Sequence, residues 1–350
     1  MQRRTEVGVL GATGMVGQQF LNQLAGHPWF DATWLAASGR SEGRRYAEAA
    51  PWRLSVPIPA GLADRQVEAA MPGRGPRLIF SALDAAVAGD LELAFAEAGH
   101  IVVSNARNHR LDAVVPLLVP EVNADHLALV RSQASQKGWK GAIVTNPNCS
   151  TVMLSMALAP LRIFGLRSCV VTTMQAVSGA GYPGVPSMDI LGNLIPFISG
   201  EEEKIEVETR KILGTLADGE VAYHPVAVSA STTRVPVVDG HTESVSVSFD
   251  ASPALDDVRA ALEAFRGRPQ ELSLPSAPPR PVVYLAEPNR PQPRLDAERD
   301  RGMAVTVGRL RQCPVLGCKF VVLGHNTVRG AAGAAVLNAE LMRADGWLDD

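Results

Sequence analysis

The sequence predicts an α/β protein: an N-terminal Rossmann-type, doubly wound parallel sheet followed by an α+β domain with a mixed or antiparallel sheet. Three observations carry that prediction. Short apolar strands alternate with helices through the first half of the chain. A glycine-rich turn separates the first strand from the first helix. After Ser150 the alternation gives way to runs with a period of two.

The elements follow in order. "EVGVLGATG" reads as a strand and a turn, and "MVGQQFLNQLAG" as a helix. "ATWLAAS" is a strand and "RLIFSAL" a buried one. "AGDLELAFAEAG" is a helix, and "HIVVSNA" and "AIVTNP" are further strands. A helix, "TVMLSMALAPLRIFG", opens the second half and leads into the strand "SCVVTTMQAVSGAG". "VAYHPVAVSASTTRVPVV" and "ESVSVSFD" alternate apolar and polar residues, as half-buried strands do. Residues 267–300 are dense in proline and read as connection. The end, "TVRGAAGAAVLNAELMRADGW", is a small-residue helix able to pack closely, and the first domain is the expected place.

Composition bounds the function. The chain has 350 residues, enough for two domains. Its 33 Lys and Arg against 36 Asp and Glu leave a net charge of −3, not the footprint of a nucleic-acid binder. No apolar stretch approaches the length needed to span a bilayer. The start has no signal-peptide pattern, so a cytoplasmic protein is expected. The four cysteines, Cys149, Cys169, Cys313 and Cys318, do not suggest a disulfide framework. "CPVLGC" has no second ligand pair at metal spacing and reads as a hairpin loop; no metal is expected.

Gly11, Gly14 and Gly17 lie between a strand and a helix. They permit a tight turn and let backbone N–H groups approach a pyrophosphate. Dinucleotide binding is the predicted role. About 20 residues on, where NAD sites carry a carboxylate, the chain has Ser38, Gly39, Arg40 and Ser41. Hydroxyls and a guanidinium suit a 2′-phosphate, which predicts NADP over NAD.

"TNPNCST" places Cys149 at a helix start, with Ser150 and Thr151 as candidate caps. Free N–H groups and the helix dipole there predict a lowered thiol pKa. Cys169, inside an apolar strand, reads as packing. A thiol beside a nucleotide domain suggests addition to a carbonyl coupled to hydride transfer, which needs a proton-carrying group. His241, after an Asp-Gly turn, is one candidate and His224 the other.

Together these stretches resemble the aspartate-semialdehyde dehydrogenase family. The matching segments are "GATGMVGQ", "NPNCST", "QAVSGAGYPG", "GEEEKIEVETRKILG", "RVPVVDGHTESV", "RPQPRLDAERDRGMAVTVGRLR" and "NTVRGAAGAAVLNAE". Their order covers nearly the whole chain. The resemblance implies reduction of 4-phospho-L-aspartate to L-aspartate 4-semialdehyde with NADPH and release of phosphate. It implies Cys149 as nucleophile, His241 as general acid/base and Gln175 as the residue orienting the acyl group. Arg234 would meet the substrate carboxylate and Glu201 its ammonium. Lys204, Arg110 and Asn148 would hold phosphate. For the cofactor it suggests Gly11, Thr13, Gly14, Met15, Val16, Gly17, Ser38, Arg40, Ser41, Ser178, Gly179 and Asn326. It also suggests residues 1–148 as the NADP-binding domain, completed by a helix over 326–350, and 149–325 as the catalytic and dimerisation domain of a homodimer or homotetramer. Related acyl-phosphate or acyl-CoA reductases, and a non-catalytic NADP-binding protein, are the alternatives. Two departures stand out: Arg107, Asn108 and His109 in "SNARNHR", and His325 where an acidic residue is common before Asn326.

Overall fold

The computed structural model describes residues 3–348. Six parallel strands form the first sheet: β1 (Thr5–Leu10), β2 (Phe30–Ala37), β3 (Glu68–Ala69), β4 (Leu78–Ser81), β5 (Ile101–Ser104) and β6 (Ala142–Thr145). Their order is β3-β2-β1-β4-β5-β6. β4, β5 and β6 are buried along their whole length, because helices cover both faces of a parallel sheet. Strand order reverses beside β1, so a crevice opens at the carboxyl ends of β1 and β4, where such sheets bind ligands.

The second sheet is mixed. Its strands are β7 (Leu166–Gln175), β10 (Ala227–Arg234), β11 (His241–Phe249), β12 (Val282–Leu285), β13 (Val305–Gln312) and β14 (Cys318–Gly324), with β8 (Thr215–Ala217) and β9 (Glu220–Ala222) as a separate hairpin. The order is β10-β7-β11-β14-β13-β12. β10 and β12 pair parallel with their neighbours, and the rest pair antiparallel. The period of two works as expected: Cys169, Val171, Thr173 and Gln175 of β7 are buried, as are His241, Glu243, Val245 and Val247 of β11. Helices Cys149–Leu158 and Glu201–Ile212 pack on this sheet. β7, β10 and β11 thus deliver Gln175, Arg234 and His241 to one end of the covered face.

One reading of the fold needs correction. The proline-dense region is more than connection, since it contributes edge strand β12. Proline cannot donate to a ladder, but Pro281 precedes the strand, and Val282–Leu285 pair freely with β13.

The C-terminal segment begins with a π-helical turn, Val328–Ala332, and continues as helix Gly333–Ala344. Ala332, Ala335, Val336, Leu337, Ala339, Leu341 and Met342 share one core with the first sheet. Small side chains permit that approach: a Cβ on Gly330 would stand 2.7 Å from the Cys149 Cβ. Arg329, fully buried, holds Glu121 by two hydrogen bonds of 2.7 and 2.6 Å.

Candidate active site

Cys149 is the first residue of helix Cys149–Leu158. The cap is Asn148, not Ser150 or Thr151. Its Oδ1 accepts from the Ser150 and Thr151 N–H groups at 3.0 and 3.3 Å. The preceding "NPN" gives Asn148 the extended backbone a cap requires, whereas Ser150 and Thr151 are already helical.

His241, not His224, meets the thiol: Nε2 lies 3.2 Å from Cys149 Sγ. The Ala176 N–H donates to His241 Nδ1 at 3.1 Å. The neutral ring therefore carries its proton on Nε2, facing sulfur. His224 sits elsewhere, its own backbone N–H bonded to the Arg210 carbonyl.

The thiol's environment reverses one expectation. Burial, with the Glu201 carboxylate adding to it, pushes Cys149 up to about 12, although Arg234, Arg110 and the Ser150 N–H pull the other way. The helix amide is present but desolvation outweighs it. Burial, with Arg234 and His325, pushes His241 down to about 3. In this form the pair is a thiol and a neutral imidazole. Cys149 as a residue is half-buried. Alkylation of Cys149 by iodoacetamide in the free enzyme should therefore keep accelerating well above the ordinary thiol value of roughly 8.5. A rate that levels off below neutrality would contradict this electrostatic account.

Around the pair stand the other predicted residues. Gln175 is buried and donates to Thr173 Oγ1. Arg234 is buried and donates to the Ala176 carbonyl at 2.8 Å. Gly179 leaves room beside them: a Cβ there would stand 2.9 Å from both Arg234 Nη1 and His241 Cε1, so those side chains would have to shift. Glu201 accepts from Asn148 Nδ2 at 2.6 Å and from Lys204 Nζ. The cluster Glu201–Glu203 is thus no simple solvated helix start: Glu201 is buried, and Glu202 accepts the Thr232 N–H at 2.9 Å. Arg110 is buried and bound to Glu208 and the Asn105 carbonyl at 2.9 and 2.8 Å.

On the cofactor side a cleft of about 440 Å³ is lined by Gly11, Thr13, Gly14, Met15, Val16 and Ser38 from the first domain, and by Ala180, Gly181 and Tyr182 opposite. Gly11 has φ +71°, and a Cβ on Gly17 would stand 2.2 Å from the Gly11 carbonyl oxygen. Only glycine fits this turn, and the turn fits a dinucleotide. Ser178 and Asn326 meet at 2.8 Å, and Asn326 also accepts the Gly240 N–H. Arg40 and Ser41 do not line this cleft. Arg40 is exposed, while the Ser41 N–H closes a turn onto the Ser38 carbonyl.

The departures bond to partners other than Cys149, although His325 is near enough to His241 to depress it. Asn108 and His109 bond the Ala85 and Gly89 carbonyls, Arg107 is exposed, and His325 pairs with Glu298. Residues not anticipated include Glu208 and Lys211, both buried at the site. Their signal was present: Glu201, Lys204, Glu208 and Lys211 recur every three or four residues, the spacing of one helix face, beside the apolar Ile205 and Ile212.

Comparison with known proteins gives the same architecture. The family profile described as semialdehyde dehydrogenase, NAD binding domain, matches residues 6–130, and the one described as semialdehyde dehydrogenase, dimerisation domain, matches 158–329. The chain belongs to the semialdehyde dehydrogenase family. Within it, the chain is 54% identical to aspartate-semialdehyde dehydrogenase of Methanothermobacter thermautotrophicus over 96% of this chain and 98% of the other. It is 50% identical to that of Archaeoglobus fulgidus over 97% and 98%. The aspartate semialdehyde dehydrogenase of Candida albicans, solved with NADP, superposes with a TM-score of 0.90 at 43% identity, covering 98% of this chain and 99% of that one.

Proposed function

We propose that this chain is an NADP-dependent, phosphorylating aspartate-semialdehyde dehydrogenase, which reduces 4-phospho-L-aspartate to L-aspartate 4-semialdehyde through a cysteine acyl-enzyme. The observation that carries the chemistry is the contact between Cys149 Sγ and His241 Nε2, at a helix start and among Gln175, Arg234 and Glu201. Bound NADPH supplies the hydride; the Gly11–Gly17 turn, Ser38, Ser178 and Asn326 are the residues that would hold it. Gly179 is assigned to the same group, and Arg40 and Ser41 to the surrounding 2′-phosphate environment.

Cys149 attacks the acyl carbon. The sulfur–carbon bond forms as the carbon–oxygen bond to phosphate breaks, and the thiol proton leaves with phosphate. His241 Nε2–H, the Ser150 N–H and the nearby guanidinium groups steady the sulfur as it becomes anionic. Arg234 takes the substrate carboxylate by its planar fork, and Glu201 takes the ammonium. Gln175 orients the acyl carbonyl, while Arg110, Lys204 and Asn148 receive phosphate. In the second half-reaction the sulfur is expelled and needs a proton. His241 can carry one only as an imidazolium, and its Nδ1–H must then displace the Ala176 N–H. His241 is thus a hydrogen-bond donor to sulfur in this form and a proton carrier only after that contact opens.

Residues 1–148 with 326–350 form the cofactor lobe in this reading, residues 1–2 and 349–350 lying outside the described ones, and 149–325 the catalytic and dimerisation lobe. A homodimer or homotetramer is supported by the exposed apolar residues Met188, Leu191, Leu194 and Phe197 on one segment of the second lobe. No described helix is long and apolar enough to cross a membrane; a cytoplasmic location is part of the proposed reading.

The test is reduction of NADP by the protein with L-aspartate 4-semialdehyde. Turnover should require inorganic phosphate and favour NADP over NAD. Turnover that ignores phosphate but requires coenzyme A would overturn the reading.

A further inference from the structure

We propose that Glu208 is a positioning residue: one buried carboxylate sets both the phosphate-binding Arg110 and the cap of the nucleophile's helix. The proposal rests on the functional reading above and adds to it a residue outside the resemblance-based set.

Glu208 lies on helix Glu201–Ile212 and is 2% exposed. Its two oxygens serve two different masters. Oε1 accepts from Arg110 Nη1 at 2.9 Å, and Oε2 accepts the Asn148 backbone N–H at 2.6 Å. Asn148 immediately precedes Cys149 and caps its helix. Arg110 Nη2 is held by the Asn105 carbonyl, which leaves the buried Nε as a donor with no partner. A buried, unpartnered donor is costly unless a ligand meets it, and an incoming phosphate oxygen would satisfy it.

One turn further on, Lys211 reinforces the same placement. Its Nζ donates to the carbonyls of Arg110, Asp112 and Val115 at 2.8, 2.8 and 2.9 Å. All three ammonium protons are therefore spent on the loop that carries Arg110. The helix grips the anion loop at Glu208 and Lys211, and it grips Asn148 twice, at the backbone N–H through Glu208 and at the side-chain amide through Glu201. A residue that only filled the core would have no reason to divide its oxygens this way.

Glu208→Gln separates the two functions. A glutamine oxygen can still accept from one donor, but its NH2 group faces either the guanidinium or the Asn148 N–H. The expected result is a KM for phosphate raised at least about tenfold, the loss of one hydrogen bond to a charged group. The KM for the semialdehyde, which meets Arg234, should change by less than about twofold. Alkylation of Cys149 by iodoacetamide in the free enzyme should also change rate, because the cap is disturbed. In an Arg110→Ala background, Glu208→Gln should add less than about twofold to the phosphate KM, yet still alter alkylation, which travels through Asn148. Lys211→Met serves if the first variant folds poorly. It should raise the phosphate KM and leave alkylation unchanged, because it grips only the loop.

Unchanged phosphate KM and alkylation in a folded Glu208→Gln protein would overturn the proposal. So would an equal rise in the KM of both substrates, which marks general loosening. Absence of phosphate-dependent turnover in the unsubstituted protein would instead strike the functional reading, and the alkylation comparison would remain as the test of Glu208.

Discussion

Cys149→Ala should abolish phosphate-dependent NADP reduction, by at least roughly 10⁴-fold, the scale on which enzymes lose activity with their nucleophile. The loss follows from chemistry and geometry together. Among the four cysteines, Cys149 is the one in contact with a histidine, and it stands at a capped helix start. Cys169 is fully buried in β7 and its thiol is pushed far up by burial, so it cannot substitute. Cys313 and Cys318 flank the distal turn between β13 and β14. NADP binding should survive, because the cleft is lined from Gly11 to Ser38 and by Ala180–Tyr182, none of which changes. Dye-free titration of NADP by calorimetry distinguishes the outcomes. Retained turnover would end the covalent mechanism, and lost NADP binding would show that the substitution had disturbed the fold.

Arg329→Met should destabilise the protein by about 3–5 kcal/mol, the cost of leaving one member of a buried ion pair alone. Glu121 and Arg329 are both fully buried and joined by two hydrogen bonds. Removing the guanidinium strands a carboxylate in the interior. Total stabilities of roughly 5–15 kcal/mol make that a large fraction. The effect should reach the site, since Gly330 follows Arg329 and packs directly against Cys149. The double variant Glu121→Leu with Arg329→Met should recover much of the loss, because buried pairs replaced by apolar groups are often close to neutral. Chemical denaturation measures both. A single variant as stable as the parent, or a double variant worse than the single, would refute this account of the pair.

How much of this was legible in sequence depends on how local each signal is. The glycine turn is local: strand, three glycines and helix stand within "GVLGATGMVGQQF", and only the backbone geometry of Gly11 and Gly17 had to be added. The thiol's seat is local too, yet its cap was misread. Ser and Thr are good caps in general, but the strand ends at Thr145 and the helix already begins at Cys149, which gives the cap to Asn148. The direction of the thiol's pKa was not legible. A helix start is visible in sequence, whereas desolvation of Sγ and the approach of Glu201 depend on elements more than 50 residues away. Strand β12 was hidden by the prolines on either side of a four-residue run. Glu208 and Lys211 were hidden differently. In "EEEKIEVETRK" they look like solvated helix charges, and only tertiary packing turns that face toward Arg110 and Asn148.

The most direct test of the central claim is trapping of the covalent intermediate. The protein is mixed with 4-phospho-L-aspartate without NADPH, quenched in acid and digested, and its peptides are weighed by mass spectrometry. The account predicts one aspartyl thioester, on the peptide carrying Cys149, formed with release of one phosphate. Acylation at Cys169, Cys313 or Cys318, or phosphate release with every thiol unmodified, would contradict it.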